Sequence, residues 1–221
     1  MKVSCVDLGC RPYEQVYDWQ LDLAERRKRD IIGDHLLLVE HPPVVTFGKR
    51  DSRKDLLVSP KFLSEKGIAV FSSDRGGKIT YHGPGQMVAY FVLHLRQKSI
   101  PEFVRQVEEV LIRVLDRFQI RGERDESYPG VWVEHNKIAA VGFHVDRQVT
   151  THGIALNVNC DLTPFRYFHP CGIPDRGVTS LDKELGWHTS LQEVKSYFLM
   201  EYAHVFQSEV VLSGGFSSLP E

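Results

Sequence analysis

The sequence predicts an α+β fold in a single domain, a mixed and mostly antiparallel sheet flanked by helices. Two segments, Ser99-Ile-Pro-Glu102 and Ser190-Leu-Gln-Glu193, carry the capping-box pattern ahead of apolar residues at helical spacing. Between residues 130 and 158 three strand-like runs crowd together with turn-type dipeptides between them, the signature of an antiparallel meander. Helices interspersed with hairpin-connected strands favour a mixed sheet over a strictly alternating parallel one. No Pro/Gly/Ser-rich linker, internal repeat or low-complexity segment divides the 221 residues. One domain over 1–221 is therefore expected, with its core at about 30–210 and a flexible tail at 212–221.

A first strand around Cys5 leads to a turn and a helix behind Pro12, with Tyr13, Val16, Trp19, Leu23 and Ala24 as its apolar stripe. It ends in Arg26-Arg-Lys-Arg29, read as a solvated helix end, with a docking patch for an acidic partner as the alternative. Leu36 to Val39 and Val44 to Phe47 are strands separated by the Pro42-Pro43 break. Gly67 to Phe71 and Met87 to Leu93 are apolar runs flanking a glycine-rich segment, which is expected to join two buried strands. The helix opened by Ser99 should bury Phe103, Val107, Val110, Leu111, Val114 and Phe118, with Gly122 as its stop. The meander follows as Gly130–Val133, Lys137–Val145 and Val149–Val158, with turns at His135-Asn136 and Asp146-Arg147. The last helix, from Ser190, presents Leu191, Val194, Phe198, Tyr202 and Phe206 to the core.

Composition narrows the function classes. With 27 basic and 29 acidic residues, the chain lacks the positive excess of a protein that grips nucleic acid through its phosphates. No run approaches the roughly 18 apolar residues of a membrane helix, and Met1 to Asp7 lacks the hydrophobic core of a signal peptide. The expectation is a cytosolic protein whose four cysteines, Cys5, Cys10, Cys160 and Cys171, are free thiols. Cys5, Cys10 and Cys160 read as small structural hydrophobes.

The segment Arg75-Gly-Gly-Lys-Ile-Thr-Tyr-His-Gly-Pro-Gly85 places four glycines, a proline and several donor side chains in eleven residues. Such a cluster marks close backbone approach to a ligand or a tight turn. It fits neither nucleotide-phosphate motif, because a proline sits between Gly83 and Gly85 and no helix follows. Cys171, in His169-Pro-Cys-Gly-Ile-Pro174, is the thiol that local sequence leaves most exposed. A thiol is only a few per cent thiolate at neutral pH, so a nucleophilic one needs a nearby base or cation. Lys137, His144, His152 and His169 are the candidates. For Lys137 the local pattern leaves open a lysine that reaches solvent from a strand end, and His82 and His152 could equally be structural. No second Cys/His pair accompanies His169 and Cys171 at metal-ligand spacing, so no metal is expected.

Taken together, Arg75 to Gln86, Asn136-Lys-Ile-Ala-Ala-Val-Gly142, His152-Gly-Ile-Ala-Leu-Asn157 and Pro170-Cys-Gly-Ile173 resemble the lipoyl(octanoyl) transferase family, from about Leu36 to Ser180. The resemblance implies the biotin/lipoate protein ligase-like fold. It implies a catalytic dyad in which Cys171 carries an acyl thioester and Lys137 lowers its pKa. It also implies acyl-binding segments at Arg75, Gly76, Gly77, Lys78, Ile79, Thr80, Tyr81 and His82, at Ala140, Val141 and Gly142, and at Gly153, Ile154 and Ala155. Ala139-Ala140 departs from the commonest pattern but stays small. The implied donor is octanoyl-acyl-carrier-protein, and the implied acceptors are the lipoyl domains of 2-oxoacid dehydrogenases and the glycine cleavage H protein. No cofactor, nucleic acid or membrane is called for. Three alternatives share parts of this pattern: an ATP-dependent lipoate or biotin ligase, an amidotransferase between lipoyl domains, and a non-catalytic acyl-binding module. Lys49, Arg50, Arg53 and Lys54 form a basic loop, either solvated or facing an acidic carrier.

Overall fold

Leu36, Leu37, Leu38 and Val39 are all buried, because β2 (Asp34–Glu40) runs through the middle of a sheet covered on both faces. The computed structural model describes residues 2–50, 53–169 and 176–213. The main sheet is built from β1 (Lys2–Cys10), β2, β6 (Gln86–Val92), β7 (Glu123–Arg124), β8 (Gly130–Val133), β9 (Asn136–Asp146), β10 (Val149–Asn157) and β12 (Glu209–Leu212). Its order is β12-β1-β2-β6-β10-β9-β8-β7, and β11 (Gly177–Val178) lies parallel beside the start of β9. The β12/β1 and β1/β2 pairs are parallel; from β2 through β7 every neighbour along that order is antiparallel. A mixed, mostly antiparallel sheet is what the sequence predicts.

Alternation along the strands divides the core in two. Leu36, Leu38, Ala89, Phe91, Ile154 and Leu156 pack toward α3 (Ile100–Asp116) and α5 (Leu191–Phe206), with Phe91 edge-on to Phe103, Phe143 and Phe198. Leu37, Val39, Val88, Tyr90 and Ala155 pack toward α1 (Tyr13–Lys28). A second sheet was not anticipated. β3 (Val44–Phe47) pairs in it with β4 (Ala69–Ser72) and β5 (Ile79–His82), and α2 (Pro60–Glu65) closes a third apolar cluster around Leu63, Ile79, Phe165 and Phe168.

Several expectations are corrected. The glycine-rich segment does not link two buried strands: its second half is itself β5, and the run before it is β4, whose Val70 is exposed. The basic run at the end of α1 is not simply solvated. Arg27 is buried and bonds Asp34 at 2.7 Å, and Lys28 bonds Glu25 at 2.6 Å and Asp146 at 2.7 Å. Gln20 and Arg27 complete the buried stripe of α1, while Trp19 is only half-buried. The Ser99 capping box is formed, but α3 stops at Asp116, ahead of Gln119 in the left-handed region (φ 58°), and not at Gly122. Phe118 therefore lies past the helix and is half-buried. Ser190 caps α5 by position without a side-chain hydrogen bond. The β9–β10 hairpin turns on Arg147 and Gln148, φ 46° and 65°, as a two-residue turn with both central residues left-handed. Cys10 is exposed rather than a core hydrophobe. Leu212, assigned to the tail, belongs to β12, and Ser213 donates to the Cys5 carbonyl; 214–221 lie outside the described residues.

α4 (Leu181–Leu185) completes the elements, and among the described residues no helix is long and apolar enough to cross a membrane. Gly153 shows how tightly β10 meets β6. A Cβ there would sit 1.9 Å from the Ala89 carbonyl oxygen and 2.9 Å from the Phe91 ring, so a strand would have to move. Gly153→Ala is expected to cost about 3 kcal/mol, a Tm loss of roughly 10 °C for a domain of this size. Thermal unfolding with a wild-type midpoint would show that the strands yield freely.

Candidate active site

Lys137 enters the site through the register of β9. It sits opposite Trp132 across the β8/β9 pair, at an irregularity between Val131 and Trp132. The side chain is 7% exposed, its ammonium donating to the Pro129 carbonyl at 3.0 Å and lying 4.7 Å from the Trp132 ring centroid. The reading of a lysine that reaches solvent is therefore ruled out. Gly130, at φ 131°, makes this possible: a Cβ would lie 2.5 Å from the Ala139 carbonyl and about 3.4 Å from Lys137 Cε. The Gly130 N–H is held by Glu108 at 2.8 Å, a buried carboxylate whose pKa burial raises.

The chain on each side of residues 170–175 is fastened. Phe168 bridges Leu56, and the His169 N–H donates to the Asp55 carbonyl at 2.9 Å. On the far side Arg176 stacks on Trp132 at 4.7 Å and on Tyr128 at 5.3 Å. Val178 then pairs with Lys137 in β11, and the Thr179 N–H donates to the Lys137 carbonyl at 3.0 Å. Cys171 itself lies outside the described residues. Of the described thiols, Cys5 and Cys160 are buried and pushed up to about 12 by that burial, the opposite of activation.

Lys137 also borders a narrow recess whose other walls include Ile79, Thr80, Ala140 and Ala155. Ala140 and Ala155 face each other across β9 and β10, and their small side chains leave the space open. Beyond them the Arg75-Gly76-Gly77 turn docks on β9. The Gly76 N–H donates to the Phe143 carbonyl at 3.1 Å, and Gly142 admits the Gly76 carbonyl where a Cβ would stand 3.0 Å from it. Arg75 braces the turn on the small sheet, donating to Thr46 Oγ1 at 3.1 Å and to the Thr46 carbonyl at 2.6 Å. Lys78 pairs with Asp55 at 3.2 Å, and Tyr81 packs edge-on to Phe165. Val141 and Ile154 direct their side chains into the opposite core, beneath α3 and α5. The described acyl-segment residues thus divide into recess wall, turn and core.

Sequence reasoning named His82 but did not single out the residues to which it is joined, Gln86 and Asn157. His82 Nδ1 lies 2.7 Å from Gln86 Oε1, Gln86 Nε2 donates to Asn157 Oδ1 at 2.8 Å, and Asn157 Nδ2 donates to the Thr179 carbonyl at 2.9 Å. Gln86 and Asn157 are signalled in the sequence as polar residues at the ends of buried apolar runs, where each must find partners. Burial and the neighbouring His41 push His82 down to about 3. Asp74, next to the turn, accepts from His152 at 2.7 Å and from Tyr17 at 3.0 Å, and the His152 bond holds its carboxyl well below the usual range. His152 has its backbone in the left-handed region, φ 62°. Lys49 contacts His144 at 3.0 Å, while Arg50, Arg53 and Lys54 are exposed. Among the described residues no cluster of three His, Cys, Asp or Glu could hold a metal.

Residues 12–203 match the model of the lipoyl protein ligase A/B catalytic domain. The chain is 43% identical to an octanoyltransferase of Alkaliphilus metalliredigens, covering 96% of this chain and 98% of that one. It is 44% identical to an octanoyltransferase of Caldicellulosiruptor bescii, covering 97% and 96%. Among solved structures, lipoate-protein ligase A bound with ATP superimposes with a TM-score of 0.78 at 16% identity, covering 96% of this chain and 89% of that one. A biotin protein ligase from Aquifex aeolicus gives 0.54 at 13%, covering 94% and 70%. These two likenesses bear on the fold alone, which is the expected ligase-like one. The extent of the family match and the identity to full-length relatives lead to one conclusion: the chain belongs to the lipoyl protein ligase A/B catalytic-domain family and, within it, to the octanoyltransferases, which are acyltransferase enzymes.

Proposed function

We propose that this enzyme takes octanoyl from the phosphopantetheine thioester of an acyl carrier protein and delivers it to a lipoyl-domain lysine, through a thioester on Cys171. The observation that carries the reading is the buried ammonium of Lys137 at the border of the recess, joined through β11 to the chain that follows Cys171. In the first half, thiolate Cys171 attacks the thioester carbonyl, the tetrahedral intermediate collapses, and the departing pantetheine sulfur takes a proton from Lys137. In the second, the neutral amine of the acceptor lysine attacks octanoyl-Cys171 and gives its proton to the now neutral Lys137. Cys171 leaves as thiolate, and the cycle closes.

Thioester exchange is nearly isoenergetic and amide formation from a thioester is downhill, so no nucleotide is required. Ala140 and Ala155 give the recess an apolar floor, and burying about six methylenes of the cargo there would contribute roughly 5 kcal/mol. The acceptors we propose are the lipoyl domains of 2-oxoacid dehydrogenases and the glycine cleavage H protein, all in the cytosol with the enzyme. The roles of Arg75 to His82, Ala140 to Gly142 and Gly153 to Ala155 are to wall and shape the acyl site.

Incubation with octanoyl-carrier protein should add one octanoyl mass to the Cys171 peptide. Cys171→Ser should lose that adduct and at least about 10³-fold in transfer. A serine variant that keeps full activity with free octanoate and ATP would make the protein a ligase, and an absent adduct with no transfer would make it a binding module. For Lys137→Ala, loss of a neighbouring cation destabilises the thiolate, so the pH midpoint of Cys171 alkylation should rise by about one to three pH units. An unchanged midpoint would remove Lys137 from the dyad.

A further inference from the structure

Four hydrogen bonds connect the glycine-rich segment to the backbone of Lys137, and the direction of the three that involve side chains is fixed by the acceptor at their far end. The Thr179 carbonyl can only accept, so Asn157 must present its amide nitrogen there, at 2.9 Å, and its oxygen to Gln86. Gln86 then presents nitrogen to Asn157 and to the Tyr81 carbonyl, which leaves its oxygen for His82. His82 must therefore carry its proton on Nδ1. Finally the Thr179 N–H donates to the Lys137 carbonyl. The three bonds from His82 through Gln86 and Asn157 to the Thr179 carbonyl point the same way, so each polarises the next; the Thr179 N–H, on the preceding peptide group, ties the same residue to Lys137.

We infer that Gln86 and Asn157 are positioning residues for Lys137, setting through Thr179 the place of its strand at the border of the recess. Two independent features support this. Gln86 and Asn157 are both buried polar side chains, 2% and 4% exposed, in a place where an apolar pair would serve packing alone. Thr179 also follows β11 directly, so the same tie fixes the chain that leads away from Cys171. The inference rests on Lys137 acting in the dyad, but its geometry can be read without that chemistry.

Asn157→Asp keeps the shape and still accepts from Gln86, yet a carboxylate cannot donate to the Thr179 carbonyl; Gln86→Glu cuts the chain one bond earlier. Each variant would be treated with acetic anhydride, and modification at Lys137 compared by mass spectrometry with that at Lys195, an equally buried lysine held by Asp7 at 2.9 Å. Displacement of Lys137 should raise its labelling relative to Lys195, whereas general loosening would raise both. Octanoyl transfer should lose roughly 10–100-fold in kcat with a much smaller change in KM. A wild-type labelling ratio with wild-type kcat in either folded variant would overturn the inference, as would a change confined to KM. If the wild type forms no octanoyl-Cys171, the proposed function fails, while the labelling ratio still reports whether the chain positions the lysine.

Discussion

An ammonium ion held inside a protein costs several kcal/mol unless its surroundings replace water, and this requirement governs the architecture around Lys137. A carbonyl from Pro129 and the face of Trp132 supply part of the replacement. Both come from β8 and the residue before it, so β8 must begin at a defined height against β9. Gly130 sets that height, because its positive φ and missing Cβ let the strand start directly over the lysine stem. Glu108 holds the Gly130 N–H from α3, so a helix on one face of the sheet helps to place a cation at the border of the recess. The irregularity in β8/β9 pairing is part of this arrangement, re-aiming one side chain where regular pairing would carry it elsewhere.

The small sheet answers to a second constraint, the need to roof a recess built on the larger sheet. Its attachment runs through a turn with almost no side-chain bulk. Arg75 ties the turn to Thr46 in β3, Gly76 ties it to Phe143 in β9, and Gly142 yields the space that the Gly76 carbonyl occupies. Asp74 and His152 add a charged tie just outside the glycines. Glycine in this motif thus acts through close backbone packing, and the empty space of the recess is supplied by Ala140 and Ala155 on the strands.

What could be read from sequence follows the range of the forces involved. The capped start of α3 and the apolar stripes of α3 and α5 are local, and they were legible. Arg27 was not, because its partner Asp34 sits on the next strand and nothing in Arg26 to Arg29 distinguishes the inward residue from its neighbours. The small sheet was missed for a related reason: β3 and β5 are four residues each and about thirty residues apart, and their pairing is a tertiary event. Lys137 remained open between surface and interior until the register of β8 on β9 decided it. Gln86 and Asn157 were readable as polar residues in buried runs, and attention to charge and thiols passed them by.

The histidines close the electrostatic picture. Burial pushes His41 down to about 4 and His82 to about 3, so both are neutral in the folded protein across the neutral range. The sign of the linkage follows: their contribution to stability is complete above the ordinary histidine value of about 6.5 and is lost as the pH falls below it toward 3 to 4. The fold bears that acid sensitivity in return for uncharged rings. A protonated His82 would need a second acceptor where Gln86 offers one, and would place another cation at the head of the chain that ends on Lys137. Keeping His82 neutral spares the site that second charge, while the direction of the side-chain bonds is set at the far end by the Thr179 carbonyl, which can only accept.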